Sequence, residues 1–232
     1  MVVGLTRPPA AGLVLVVLFL VERLVELAVS RARLRGRLGR RAGGDWEWSA
    51  MVAVHVALLV LPPVEAAVLG ARAPRWLLVA AILAALAAQG LRAWCIVSLG
   101  AAWNARAQVD PSLPVVDRGP YRRIRHPNYL AVLIEFLALP LAFGAWRSGL
   151  ILNLLHSPLI ARRIRAEERL LREVPGYTQR MGAKGRFWPR RGVRPSVRKV
   201  SQRDPVEGPP VRSHLDALRK PADNLDQPQI FP

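Results

Sequence analysis

Five apolar stretches, separated by connections whose arginines fall on alternate sides, constrain this chain more than any other feature. Residues Pro9 to Ser30 are apolar until Glu22, Arg23 and Glu26. Ser49 to Leu69 is a second stretch, broken by Pro62-Pro63, and Pro74 to Leu99 is a third. Leu130 to Phe143 and Trp146 to Ile160 are shorter and meet at a turn around Gly144. About 20 apolar residues span the hydrocarbon of a bilayer as a helix. The pattern therefore predicts an all-α, polytopic membrane protein of about five transmembrane helices, the last two forming a C-terminal helical hairpin. A cleaved leader fits the first stretch poorly, because it ends in charges and lacks a small-residue cleavage site.

The chain is 52% hydrophobic yet carries a formal net charge of +18, so apolar and basic residues must be segregated. The connections 31–41, 101–126 and 161–173 hold most of the arginines, six of them in RARLRGRLGRR. The opposite connections hold Arg72, Arg75 and Arg147, with Arg7 at the start. Arginine-rich connections stay cytoplasmic, which predicts an outside N-terminus and a cytoplasmic C-terminus. The same placement excludes nucleic acid as a partner, since that would need a basic, aromatic-bearing soluble face. Trp46, Trp48, Trp76, Trp103 and Trp146 flank the stretches as interfacial anchors. The single cysteine, Cys95, rules out a disulfide framework and a thiolate metal site. No metal is expected. From residue 191 onward proline and charge dominate without apolar periodicity, which predicts a disordered tail over 191–232. The organisation is then 1–74 for the N-terminal helices, 75–190 for the core and 191–232 for the tail.

Glycine-rich nucleotide loops and hydrolase or zinc-protease signatures are missing, so chemistry must sit at helix ends and loops. Two clusters lie on the predicted cytoplasmic side. In the first, LPVVDRGPYRRIRHPNY (Leu113 to Tyr129), Pro127 suits a first helical turn. His126 precedes it where free N–H groups gather, and Tyr121 and Tyr129 could hold an aromatic or sulfonium group. In the second, ARRIRAEERLL (Ala161 to Leu171), Arg163 and Glu167 are four apart and share a helix face. A solvated exit with surface ion pairs explains that spacing equally well.

Together the clusters resemble the isoprenylcysteine carboxyl methyltransferase family of integral-membrane enzymes. Gly119, Tyr121, Arg125-His126-Pro127-x-Tyr129, the hairpin and Glu167-Glu168 carry the resemblance, over roughly residues 75 to 190. It implies S-adenosyl-L-methionine as cofactor, in a cytoplasmic pocket. Carried over residue by residue, the cofactor contacts are Leu113, Pro114, Val115, Val116, Tyr121, His126, Pro127, Asn128, Tyr129 and Glu167, with Gln108 as a further one. Glu168 is the alternative to Glu167. Arg163 matches the family's substrate-side arginine, and His126 is the obvious base if it is not a cofactor ligand.

A narrower resemblance, on Leu91 to Asn104, Gly119 to Phe136 and Met181 to Pro189, is to the bacterial branch methylating alkylpyrones or alkylresorcinols beside type III polyketide synthases. It implies a lipophilic acceptor entering from membrane lipid of the bacterial cytoplasmic membrane. LREVPGYTQRMG departs from the prenylcysteine enzymes after Glu168, which makes prenylcysteine the alternative acceptor. The RHPNY element also fits an NADPH-dependent sterol-type reductase, although Val132 stands where those proteins place a Glu. Methyl transfer is an in-line displacement governed by alignment, and an already anionic acceptor needs no strong base. Within the apolar stretches, Glu22 and Glu26 are expected to pair with Arg23, and Glu135 with Arg92. His55 and His156 are expected to be interhelical hydrogen-bond partners.

Overall fold

The computed structural model describes residues 7–35 and 39–190. The expected tail at 191–232 lies outside the described residues. The elements run α1 (Ala10–Leu34), β1 (Arg40–Arg41), α2 (Asp45–Leu69), α3 (Arg75–Leu99), β2 (Gln108–Val109), α4 (Pro127–Phe143), α5 (Trp146–Arg172) and α6 (Tyr177–Met181). Short 3-10 turns occupy Gly100–Ala102 and Gly119–Arg122. The chain is mostly helical, and α2 and α3 are each long and apolar enough to cross a membrane.

Pro62 and Pro63 do not interrupt α2, contrary to the sequence expectation: the helix runs through both. Proline inside a water-exposed helix costs about 3 kcal/mol, but an apolar surrounding leaves the backbone no better alternative than the helix. The start of α2 is fixed by Glu47, whose carboxylate accepts from the Gly44 N–H at 3.0 Å. Helix α4 ends at Gly144, whose φ of +70° is left-handed. A Cβ there would meet the Arg72 backbone at 2.5 Å, so the tight approach of two connections also requires glycine. Helix α5 follows after Ala145 and continues past the predicted Ile160 boundary to Arg172.

The core is built on small residues where helices approach and large ones where they splay. Ala81 and Ala85 of α3 are buried with Ala138 and Ala142 of α4, and Phe136, Leu139, Phe143 and Leu152 belong to the same buried cluster, Phe143 lying against Gly12 of α1. Small interfacial residues let apolar helices pack at close range. Outward faces are the reverse of a soluble bundle: Val14, Val17, Val21 and Leu24 on α1 are more than half exposed, as are Leu150, Leu154 and Leu155 on α5. A second, smaller cluster packs Cys95, Tyr121, Val174, Tyr177 and Met181 where α6 folds back.

The segment after α6 ties down the loop before α4. Ile124 and Gly185 form a parallel bridge, Arg125 N–H donates to Gly185 O at 2.9 Å, and His126 N–H donates to Arg186 O at 3.0 Å. Lys184 Nζ donates to Tyr121 O at 2.8 Å and pairs with Asp117. Gly119 sits at φ +57°, with Ser98 Oγ 2.2 Å and Trp94 Nε1 2.9 Å from where a Cβ would stand. Gly119→Ala is therefore expected to destabilise the protein by roughly 2–4 kcal/mol, combining left-handed strain and overpacking. A thermal melt in detergent reads this as a lowered midpoint.

Candidate functional site

A cavity of about 390 Å³ opens among α1 to α5 below the 99–129 connection. Its loop end is lined by Gln108, Leu113, Pro114, Val115, Val116, Tyr121, His126, Asn128, Tyr129, Arg163 and Glu167. Pro127 does not line it. As the first residue of α4, fully buried, Pro127 sets the backbone that carries its neighbours.

Each side chain is held by what the local sequence dictates. Tyr129 lies in the first turn of α4 and donates its hydroxyl to Glu167. Arg163 Nε donates to the same hydroxyl at 3.1 Å, and Nη2 donates to the Ala105 carbonyl. The four-residue spacing of Arg163 and Glu167 on α5 thus converges both on one phenol rather than on water. Gln108 is bound on three sides: its N–H donates to Asn104 Oδ1 at 2.8 Å, its carbonyl accepts from Asn104 Nδ2 at 2.7 Å, and Nε2 donates to Gly39 O at 2.9 Å. That amide bonds the connection after α1 to the strip leading to the cavity. Asn128 Oδ1 and Tyr177 OH are buried without a hydrogen-bond partner among the described residues.

Glu167 and Glu168 have separate tasks. Glu168 is 1% exposed and accepts from Arg186 Nε at 3.0 Å and Nη2 at 2.7 Å. His126 Nε2 lies 3.1 Å from its Oε1, and Arg125 Nη1 3.3 Å. A carboxylate only accepts, so Nε2 of His126 carries a proton and donates it to Glu168. Burial would raise the Glu168 carboxyl, but the bonds from His126 and Arg186 and the Arg125 charge hold it well below the usual carboxylate range. Burial, then the neighbouring Cys95 thiol, pushes the Tyr121 phenol well above its ordinary value. Tyr177 is pushed up by burial to about 12. Both are neutral hydroxyls at physiological pH.

The floor of the cavity is polar. Arg23, Glu26, Arg92, His55 and His156 reach it from α1, α3, α2 and α5. Arg92 Nη2 donates to Glu26 at 2.6 Å, and Arg23 pairs with both Glu26 and Glu135. Glu135 thus forms its ion pair with Arg23 and faces the Arg92 charge without a direct hydrogen bond, so the expected Arg92 partner is one of two arginines around it. Trp103, read from sequence as an interfacial anchor and, with Asn104, as a second candidate for the pocket lining, is 3% exposed and faces the cavity beneath the Arg33 guanidinium. Arg186 and Arg125 were not singled out from sequence as site residues. MGAKGRFWP and RRIRHP were the available signals, but neither reveals that both arginines meet one buried glutamate.

The chemistry of the loop end is legible from its donors and acceptors. An anionic carboxylate, an unpartnered amide oxygen and two aromatic rings can hold a ligand that is cationic at one point and hydroxylated at another. A family model described as the isoprenylcysteine carboxyl methyltransferase (ICMT) family matches residues 79–173. The uncharacterized protein YpbQ of Bacillus subtilis (strain 168) is 30% identical over 162 residues, which is 68% of this chain and 95% of that protein.

Proposed function

The chain belongs to the isoprenylcysteine carboxyl methyltransferase family, a family of membrane methyltransferases, and we propose that it is an S-adenosyl-L-methionine-dependent O-methyltransferase for a lipophilic acceptor. The supporting observation is a single cavity that gathers Tyr121, His126, Tyr129, Arg163 and Glu167 with the 113–116 strip, at the loop end of apolar helices. The preferred acceptor is an alkylpyrone or alkylresorcinol. That choice rests on the stretches Leu91 to Asn104 and Met181 to Pro189, and it links the enzyme to a type III polyketide synthase. The reading includes five membrane-crossing helices, α4 and α5 as a hairpin, in a bacterial cytoplasmic membrane with the C-terminus inside. The exposed apolar faces of α1 and α5 support it.

The residues present fit the cofactor. When bound, S-adenosyl-L-methionine supplies a methyl group on a cationic sulfur. Glu167 provides the negative charge for its cationic part, Asn128 Oδ1 an unpartnered acceptor for an ammonium or ribose hydroxyl, and Val115 and Val116 an apolar wall. Arg163 presents a guanidinium of five N–H groups, of which Tyr129 and Ala105 engage two. The remainder can hold an anionic acceptor oxygen in line, and orientation of this kind supplies much of a displacement's rate. His126 is tied to Glu168 and serves to position α4 rather than to take a proton.

The test is transfer of labelled methyl from S-adenosyl-L-methionine into organic-extractable product by purified protein in detergent or vesicles. Pentadecylresorcinol and an alkylpyrone are expected to be methylated, and farnesylcysteine poorly or not at all. Methylation of farnesylcysteine alone would move the acceptor to prenylcysteine; oxidation of NADPH without methyl transfer would remove the reading. Tyr129→Phe, which unlinks Arg163 from Glu167, is expected to lower kcat roughly 10- to 100-fold, read in the same assay.

A further inference from the structure

Two rings in the cavity floor are unexplained by methyl transfer. His156 is 0% exposed, faces the cavity, and neither ring nitrogen has a hydrogen-bond partner among the described residues. Its ring stacks on Phe136 with centroids 3.7 Å apart and planes 5° from parallel. It meets His55 edge-on at 5.5 Å. His55 Nδ1 lies 2.7 Å from the Met51 carbonyl. A carbonyl only accepts, so that nitrogen bears the proton and His55 Nε2 is an acceptor. A buried polar group left unpaired bears its full desolvation penalty, and ionisable groups inside a membrane protein mark pathways or sites unless they are paired.

The two histidines stand in register with the loop end. His156 and Arg163 are seven residues apart on α5, two turns on one face, with Ile160 between them also lining the cavity. Phe136, which stacks on His156, and Tyr129 repeat that spacing on α4, with Val132 between them lining the cavity. Seven residues rise about 10.5 Å. The cavity is therefore polar at Arg163, apolar along Val132 and Ile160, and polar again at His156.

Resting on the methyltransferase reading above, we propose that His55 and His156 form a hydrogen-bonding subsite for a second oxygen on the acceptor, a hydroxyl or oxo group carried about 10 Å from the oxygen that is methylated. A neutral His156 offers one donor and one acceptor, and His55 offers an acceptor. That set matches a hydroxyl, which needs both, and an oxo group through the donor. An acceptor with a plain hydrocarbon chain leaves these nitrogens unpaired, and a site built for a hydroxyl discriminates against its absence. The preferred acceptor is then an alkylpyrone or alkylresorcinol whose chain itself carries an oxygen, with the plain-chain compound a weaker-binding substrate of the same site.

The probes are pentadecylresorcinol and analogues bearing one hydroxyl at successive carbons of the chain, with binding measured by calorimetry in detergent. Wild type is expected to bind one position, or two adjacent ones, at least about 10-fold tighter than the plain chain. His156→Phe keeps the stack on Phe136 and removes both nitrogens. It is expected to abolish that preference while holding S-adenosylhomocysteine with unchanged affinity. Equal binding of all analogues by wild type would overturn the subsite, leaving ordered water as its sole occupant. Retention of the preference by a folded His156→Phe would overturn it as well. The wild-type positional scan decides the matter without any variant. Failure of S-adenosylhomocysteine to bind, with the positional preference intact, would remove methyl transfer and leave the subsite standing.

Discussion

Glu168→Ala is expected to lower stability by about 3–5 kcal/mol, the cost of removing one partner from a buried charge cluster. The carboxylate is 1% exposed and is approached by His126, Arg125 and Arg186. Without it, the guanidinium groups of Arg125, Arg186 and Arg172 and the His126 imidazole are left facing one another. Because Arg186 and His126 also share a backbone bond at 3.0 Å, the loss loosens the 124–126 segment that launches α4 and weakens cofactor binding. The pH dependence has a definite sign. The folded-state value of Glu168 is lowered, so its contribution is fully present above the unfolded value of about 4.3 and disappears as pH falls through the folded value. Melting wild type and Glu168→Gln between pH 7 and pH 3 should show the difference between them shrinking on acidification. A constant difference would mean that the carboxylate charge does not hold the segment.

Arg163→Lys is expected to reduce kcat/KM roughly 10²-fold or more, with S-adenosylhomocysteine affinity within about threefold of wild type. Lysine keeps the charge but is a single point donor. It cannot bridge the Tyr129 hydroxyl and the Ala105 carbonyl while also directing N–H groups at an acceptor oxygen. Arginine and lysine are not interchangeable where a planar fork is used. Single-turnover and binding measurements on the same sample separate the two quantities. An equal loss of cofactor affinity would place Arg163 on the cofactor rather than the acceptor.

The parts of this fold that were legible in sequence are those set by local periodicity. The apolar stretches mark α1 to α4 and the start of α5 to within a few residues, although α5 runs twelve residues past its apolar stretch, and Gly144 marks the α4–α5 turn and Pro127 the start of α4. What misled was chemistry judged by its behaviour in water: Pro62-Pro63 reads as a break, yet an apolar surrounding keeps α2 whole. The loop end of the cavity was also largely legible, because Arg163 and Glu167 lie on one helix face and Tyr121 to Tyr129 is a short segment. The remainder depends on contacts between residues far apart in sequence. Glu26 with Arg92, Glu135 with Arg23, and Glu168 with Arg186 are choices among several carboxylates and arginines. Only the packing of α1, α3 and α4, and the return of the chain after α6, selects between them. For Trp103 the sequence leaves both an anchor and a pocket role open, and its burial selects the second.

The loop end of the cavity is the proposed seat of S-adenosyl-L-methionine, held through Glu167 and the Tyr121 to Tyr129 segment. Calorimetric titration of the detergent-solubilised protein with S-adenosylhomocysteine tests this placement most directly, on wild type and on Glu167→Ala. Wild type is expected to bind in the micromolar range, on the order of ordinary enzyme–ligand affinities, and the variant to lose at least roughly 10-fold. A folded wild-type protein that binds no S-adenosylhomocysteine, but does bind NADPH, would contradict the placement.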